Sequence, residues 1–195
     1  MTQRDTGSRK TRLQPGPLAD DLATGFGLLT RLPVPQRRFT GGDSVWTWPL
    51  VGCVTGATGA LAAGLALSLG VPPQIAAALC LAATALLTGA MHEDGLADTL
   101  DGLFGGWTRE RRLEIMKDSH IGSYGVLGLV IASLARWSAL SALIAAGAWP
   151  ALLAAAALSR APMAVIMAVL PNARGSGLSA STGRPGRTRV VLCCG

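Results

Sequence analysis

Residues 49–70 read PLVGCVTGATGALAAGLALSLG, and none of these 22 residues carries a charged side chain. A helix that crosses the hydrocarbon core of a bilayer needs about 20 consecutive apolar residues. The stretch has that length, and its alanines, glycines and leucines suit close contact between helices in lipid. It therefore predicts a membrane-spanning helix.

Three further apolar blocks follow along the chain. They cover residues 74–91, 123–149 and 151–170, and only Arg136 and Arg160 interrupt the last two. Just 14% of all residues are charged, whereas a soluble domain has about a quarter. The alternative is a soluble bundle with all the blocks buried, but so short a chain lacks the polar surface to cover them. We expect an all-α, polytopic transmembrane bundle of about four to five helices.

The basic residues indicate how this bundle is oriented. Seven of the 17 lysines and arginines lie in residues 1–48, four lie in residues 92–122 and four follow Pro171. If the blocks cross the bilayer in turn, these three segments share one side, and basic segments favour the cytoplasm. Both termini and residues 92–122 are therefore expected on the cytoplasmic side of the cell inner membrane. The net charge of +6 then reflects the membrane surface and not nucleic acid.

Three regions follow from this pattern. Residues 1–17 are expected to form a basic, disordered tail without the apolar core of a signal peptide. Residues 18–170 form the membrane domain, which opens with an interfacial or shallowly inserted helix that ends at Arg31–Pro35. Residues 171–195 form a polar, disordered or frameshifted tail. The four cysteines show no spacing typical of a metal site or a disulfide framework.

The acidic residues are concentrated in residues 92–122, which hold seven of the eleven. Asp94, Asp98 and Asp101 are spaced i, i+4, i+7, so they lie within about 60° of one helical face. Three such carboxylates beside a membrane repel one another unless they bind a cation, are protonated or face water. Oxygen ligands favour Mg²⁺ or Mn²⁺. The alternative is a solvated acidic surface that pairs with the arginines downstream.

Basic residues follow the acids within the same segment. Thr108 is expected to cap a helix over Arg109–Lys117. That helix brings four cationic side chains close to whatever the acids bind: Arg109, Arg111, Arg112 and Lys117. Metal-binding acids beside basic side chains are typical of the transfer of a phosphate-bearing group. The chain has no P-loop motif, so a nucleotide site of that kind is not expected.

Three further residues carry open assignments. His92 is one of two histidines and is expected to support the metal site or contact the substrate, unless it is a plain interfacial residue. Arg136 and Arg160 lie inside apolar blocks, where a charge usually faces a cavity or a partner. Either arginine could contact a phosphate from within the bundle. Arg136 could equally pair with a carboxylate of another helix.

Four stretches of the chain carry a specific resemblance. They are FGLLTRLPVP (Phe26–Pro35), WPLVG (Trp48–Gly52), GAMHEDGLADTLDGLFGG (Gly89–Gly106) and RRLEIMKDSHIGSYG (Arg111–Gly125). Together they resemble the cobalamin synthase family, also called adenosylcobinamide-GDP ribazoletransferase, over roughly residues 18–170. The resemblance implies a Mg²⁺-dependent membrane enzyme that joins adenosylcobinamide-GDP to α-ribazole, or its 5′-phosphate, and releases GMP. This is the final step in assembly of the cobalamin nucleotide loop.

The resemblance also implies roles for individual residues. The acidic motif implies three metal ligands at the catalytic centre: Asp94, Asp98 and Asp101. A second motif implies contacts to phosphate or nucleotide by Lys117, Asp118 and Ser119. One of the acids is expected to act as general base for the attacking hydroxyl. Glu93 falls where other members of the family often carry an uncharged residue, so it carries less weight.

The chain departs from the resemblance after Leu170, where members of the family continue with further hydrophobic segments. We expect a truncation or frameshift soon after Asn172, with loss of activity as its consequence. The alternative is a natural short member of the family with a disordered tail.

Two other functions fit the acidic segment less well. A CDP-alcohol phosphotransferase-like enzyme would carry D-G-x-x-A-R, but here Asp98 and Thr99 follow Gly95-Leu-Ala, so the arginine of that signature is missing. A cation transporter subunit would show paired broken helices and repeated acidic sites, whereas this chain has one acidic cluster. The expected partners are the two small-molecule substrates and the lipid bilayer, without nucleic acid. The sequence leaves open whether the protein forms a homo-oligomer.

Overall fold

The structure is a computed structural model that describes residues 17–194. Within this range the chain forms helices joined by loops, without a β-strand, so the expected all-α class is confirmed. The α-helices are α1 Pro17–Leu29, α2 Trp48–Ser68, α3 Pro73–Thr88, α4 Met91–Gly105, α5 Arg109–Ile115, α6 Ser123–Ala145, α7 Trp149–Leu158, α8 Ala161–Val169, α9 Leu178–Thr182 and α10 Arg187–Cys194. A 3-10 helix, Gly41–Thr47, leads directly into α2. The predicted basic tail lies outside the described residues, except for Pro17, which begins α1.

The membrane-spanning character of the bundle rests on three helical stretches within the described range. Gly41–Ser68, Ser123–Ala145 and Trp149–Val169 are long and apolar enough to cross a bilayer. A fourth crossing is present if α3 and α4 count as one bent span, so the number reaches only the lower end of our expectation. The 16 residues of α3 span about 24 Å, which is shorter than a hydrocarbon core of about 30 Å.

The second helix, α2, is central to the packing, with α3 on one side and α7 on another. Glycines on α2 allow this close approach. A Cβ atom at Gly52 would lie 2.5 Å from the carbonyl oxygen of Ala156, and one at Gly59 would lie 2.7 Å from Cys80 Sγ. Such small residues let helix backbones approach each other in lipid. The core beside them is built from alanines and a few larger side chains: Ala63, Ala66, Ala76, Ala77, Cys80, Ile144 and Leu152.

A sharp bend separates α3 from α4, because the two helices meet at 89°. Gly89 and Ala90 both adopt left-handed backbone conformations there, with φ of 67° and 56°. Glycine tolerates this conformation, whereas it costs alanine about 1–2 kcal/mol. The side chain of Arg31 packs on Gly89 and leaves no room for a Cβ atom. The bend places the acid-rich α4 against α6 instead of continuing the α2–α3 hairpin.

Residues 171–194 differ from the disordered tail that the sequence predicts. They form α9 and α10, and α10 packs on the 3-10 helix and on α8. Arg189 Nη1 lies 3.6 Å from the buried Asp21 carboxylate, which also accepts a hydrogen bond from Trp46 Nε1 at 2.8 Å. Cys193 is buried in the same part of the fold, beside the cluster around Trp48. A polar composition predicts disorder. Here the contact of Arg189 with Asp21 and the buried Cys193 attach the segment to the rest of the fold.

Candidate active site

The outer part of α4 presents two acidic side chains one helical turn apart. Asp94 is exposed and Asp98 is half-buried. Asp94, Asp101 and Arg174 all lie close enough to Asp98 to act electrostatically on its carboxylate. Two acids on one side of a helix therefore face a basic side chain from a distant part of the chain. Such an arrangement can bind a cation and a phosphate group together.

Asp101, the third acid of the motif, is buried and turned toward the start of α6. Its Oδ2 atom accepts a hydrogen bond from the Gly122 amide at 2.7 Å, and its Oδ1 atom accepts one from the Gly125 amide at 2.8 Å. Amides in the first turn of a helix have no partner within that helix, and the positive end of the helix favours an anion. Asp101 therefore caps α6 from another helix. This role is not visible in the spacing of the acids.

The three predicted metal ligands are not gathered into one cluster. Within residues 17–194, no group of three or more His, Cys, Asp or Glu side chains is arranged to hold a metal ion. The ligand role of the three acids therefore stays a prediction, and Asp101 has both oxygens engaged elsewhere. Asp94 and Asp98 remain as a pair, and Mg²⁺ is commonly held by one or two carboxylates together with water and substrate phosphates. The donor set fits a metal that is shared with a substrate.

The predicted cap of the basic helix is confirmed. Thr108 Oγ1 accepts a hydrogen bond from the Arg111 amide at 3.2 Å, and α5 begins at the next residue, Arg109. The helix ends at Ile115, two residues before Lys117. Lys117 therefore lies in the loop between α5 and α6 with Asp118 and Ser119, and all three side chains are exposed.

The arginines of α5 are held mainly by local contacts. Arg111 pairs with Glu114 at 3.1 Å, and Arg112 Nε donates to the Gly106 carbonyl at 2.8 Å. Arg109 Nη2 reaches the carbonyl of Ala173 at 2.7 Å. That bond holds the loop after α8 beside α5. The predicted contacts of these arginines with substrate stay predictions.

Arg174 is the functional candidate that sequence reasoning missed. It lies next to Ala173, and the hydrogen bond from Arg109 holds this loop where Arg174 acts on Asp98. The sequence carried one signal, a lone arginine followed by glycines in N-A-R-G-S-G. The polar composition of that stretch predicts a tail, and no local pattern relates it to the acidic motif.

His120 forms an ion pair with Asp118 in the exposed loop, with 2.7 Å between Nδ1 and Oδ1. The side-chain hydrogen bond from His120 lowers the pKa of Asp118, and the same bond raises the pKa of His120. The contribution of His120 to the stability of the folded protein is complete at a pH below the ordinary pKa of histidine. It is lost as the pH rises through the raised pKa of His120. The contribution of Asp118 to the stability of the folded protein is present at a pH above the ordinary pKa of aspartate. It is lost as the pH falls through the lowered pKa of Asp118.

We expect the substitution Asp118→Asn to lower the pKa of His120 toward the ordinary value for histidine, because it removes the carboxylate. An NMR titration of the protein with ring-labelled histidine would measure this shift, and His92, the only other histidine, serves as internal reference. A His120 pKa that is the same in the two proteins would contradict the pairing.

A second polar cluster lies inside the bundle, in a cavity of about 370 Å³ between α2, α3, α6, α7 and the first turn of α4. Its charged side chains and its histidine are His92, Glu93, Arg136 and Arg160. Arg136 Nη1 donates to Glu93 Oε1 at 2.6 Å. Of the two alternatives for Arg136, a phosphate contact or a carboxylate partner, the structure therefore favours the partner, which is Glu93 on another helix. His92 lines this cavity, so it stands apart from the outer acid pair.

Comparisons with known proteins cover nearly the whole chain. A family profile described as cobalamin-5-phosphate synthase matches residues 21–194, a range that includes the segment expected to form an unrelated tail. An adenosylcobinamide-GDP ribazoletransferase from Bradyrhizobium diazoefficiens is 47% identical over 179 residues, which cover 88% of this chain and 68% of the relative. The protein of that name from Mesorhizobium japonicum is 43% identical, with the same coverage of 88% and 68%. The one from Brucella ovis is 43% identical over 192 residues, with coverage of 94% and 74%. No solved structure matches significantly.

Proposed function

This chain belongs to the cobalamin-5-phosphate synthase family, and we propose that it joins adenosylcobinamide-GDP to α-ribazole or its 5′-phosphate and releases GMP. The observation that carries this proposal is the acid pair of α4, with Asp94 exposed and Asp98 half-buried, within electrostatic range of Arg174. The donor contains two linked phosphates, so its binding needs opposite charge. Arg174 supplies part of that charge, and Arg109 holds its loop in place.

The reaction exchanges one phosphorus–oxygen bond for another. A hydroxyl oxygen of the ribazole bonds to the phosphorus that carries the cobinamide. The bond from that phosphorus to the oxygen bridging to GMP breaks, and GMP leaves with the electron pair. The hydroxyl proton passes to a base, which we assign to an acid of α4. Basic side chains around the phosphates lower the barrier because they stabilise the negative charge that develops on the oxygens.

We propose Mg²⁺ as the cofactor, held by Asp94 and Asp98. When bound, the ion neutralises charge on the phosphate oxygens. The two carboxylates fit such an ion because they leave coordination positions for the substrate. Asp101 supports this site indirectly, because its hydrogen bonds hold α4 against the first turn of α6.

The orientation of the site follows from charge. We place residues 92–122 on the cytoplasmic side of the inner membrane, because basic segments favour that side. The two nucleotide-like substrates are water-soluble, and Asp94, which is exposed, is accessible to them at the membrane surface. The surrounding lipid bilayer is then the structural partner of the apolar helices.

Reconstituted into nanodiscs with adenosylcobinamide-GDP, α-ribazole and Mg²⁺, the purified protein should release GMP and form an equal amount of the corrinoid–ribazole product. Both products are measured by liquid chromatography and mass spectrometry. Chelation of Mg²⁺ should stop the reaction. Release of CMP from a CDP-alcohol in a parallel assay, without GMP release, would favour the CDP-alcohol phosphotransferase reading. GMP release without the joined product would be hydrolysis and would contradict transfer.

A further inference from the structure

The cavity inside the bundle is lined by two kinds of surface. One wall consists of small and apolar side chains that include Leu140, Leu143 and Leu152. The opposite part carries His92, Glu93, Arg136 and Arg160. A volume of about 370 Å³ lies within the range of pockets for small molecules, about 300–1,000 Å³. The cavity therefore has both the size and the mixed lining of a ligand pocket.

Three polar atoms in this cluster are shielded from solvent and lack a hydrogen-bond partner among the described residues: His92 Nε2, Glu93 Oε2 and Arg160 Nε. A buried polar group without a partner costs about 1–3 kcal/mol, and a charged group costs more. These three unmet groups point to a bound molecule that supplies acceptors and donors.

The charges in the cavity indicate what that molecule carries. Glu93 and Arg136 neutralise each other through their 2.6 Å contact. Arg160 remains as a positive charge, since its only hydrogen bond among the described residues runs from Nη1 to the neutral Ser159 hydroxyl at 3.0 Å. An anionic oxygen would satisfy Arg160, and a hydroxyl would satisfy the second oxygen of Glu93. A sugar phosphate offers both groups in one molecule.

We propose that this cavity binds the acceptor nucleoside, with the phosphate of α-ribazole 5′-phosphate on Arg160, a ribose hydroxyl on Glu93 and the bicyclic base on the apolar wall. This assignment rests on the proposed function. The cavity and the outer acid pair share the first turn of α4, because Glu93 and Asp94 are consecutive residues there. The bend at Gly89–Ala90 directs Glu93 into the cavity, while Asp94 remains exposed.

The test measures binding without turnover. Isothermal titration calorimetry in phosphatidylcholine nanodiscs compares α-ribazole 5′-phosphate with α-ribazole, for the wild type and for Arg160→Gln. We expect the substitution to lower the affinity for the phosphate ester about 10-fold or more and the affinity for α-ribazole by less than about 3-fold. The difference arises because only the ester loses a charged hydrogen bond. If Arg160 had a merely structural role, its substitution would lower the affinity for both ligands by the same factor. That equal loss would overturn the assignment.

Matched variants keep the test interpretable. Arg187→Gln removes an exposed arginine on α10 and should leave both affinities within about 2-fold of the wild type. If Arg160→Gln fails to fold, Arg160→Lys retains the charge but loses the planar fork, so it should weaken the ester alone and by a smaller factor.

A lipid headgroup is the other source of the same chemistry. Equal affinity of the wild type and Arg160→Gln for the ester, with phosphatidylglycerol retained only by the wild type in native mass spectrometry, would assign the cavity to lipid and overturn the nucleoside proposal. The binding result also stands apart from the proposed function. If the protein preferred the ester through Arg160 but released no GMP, the proposed reaction would be contradicted and the assignment of the pocket would still be supported.

Discussion

Asp98→Asn should lower Mg²⁺-dependent GMP release by on the order of 100-fold, a loss typical of removing one preorganised charge-stabilising group. Asparagine keeps the size of the side chain but loses the charge that would attract the metal. It also removes the negative charge on which Arg174 acts electrostatically. Steady-state kinetics at increasing Mg²⁺ concentrations measure the effect, and most of the loss should persist at saturating metal if Asp98 also positions the substrate.

A matched control separates charge in general from charge at this position. Asp43→Asn changes another exposed acid, on the 3-10 helix before α2, and should leave turnover within about 2-fold of the wild type. Thermal unfolding of the Asp98 variant should match the wild type, because the side chain is only half-buried. Full Mg²⁺-dependent activity of Asp98→Asn would show that the carboxylate is not needed.

Asp101→Ala should destabilise the protein by at least about 1–3 kcal/mol, because the buried Gly125 amide loses its acceptor and the partly buried Gly122 amide loses its acceptor as well. Thermal unfolding in detergent measures the loss. Hydrogen exchange at Gly122 and Gly125 should accelerate, since the carboxylate protects these two amides. Asp94→Ala is the matched control on the same helix, and it should have little effect on stability because Asp94 is exposed.

The same variants separate capping from metal binding at Asp101. If Asp101 only caps α6, Mg²⁺ should raise the melting temperature of Asp101→Asn and of the wild type by similar amounts. A Mg²⁺ effect that disappears in Asp101→Asn, as it should in Asp98→Asn, would return Asp101 to the ligand set. An Asp101→Ala protein as stable as Asp94→Ala would rule out the capping role.

The membrane-helical class could be predicted from the sequence because block length and charge are local properties. Residues 49–70 need no knowledge of the rest of the chain to be recognised as a span. The bend before α4 was not predictable in this way. Ala90 takes a left-handed conformation that alanine disfavours, and the tertiary contacts between α4 and α6 offset that cost.

The members of the acidic motif have different environments. Helical spacing places Asp94, Asp98 and Asp101 on one face, yet it does not show what that face meets. Asp101 meets Gly122 and Gly125, which lie 21 and 24 residues away. Arg174 lies farther still along the chain. Contacts over such distances depend on the packing of the helices, which no local pattern encodes.

The ion pair between Asp21 and Arg189 has a consequence for biosynthesis. Asp21 lies in α1 and Arg189 in α10, so almost the whole described chain must be translated before the buried carboxylate meets its counter-charge. At about 5–20 residues per second, that delay is on the order of ten seconds or more. Until then α1 and the 3-10 helix carry an uncompensated acid, which opposes their docking. A nascent chain that stalls before Arg189 is synthesised therefore keeps the Asp21 carboxylate without its counter-charge.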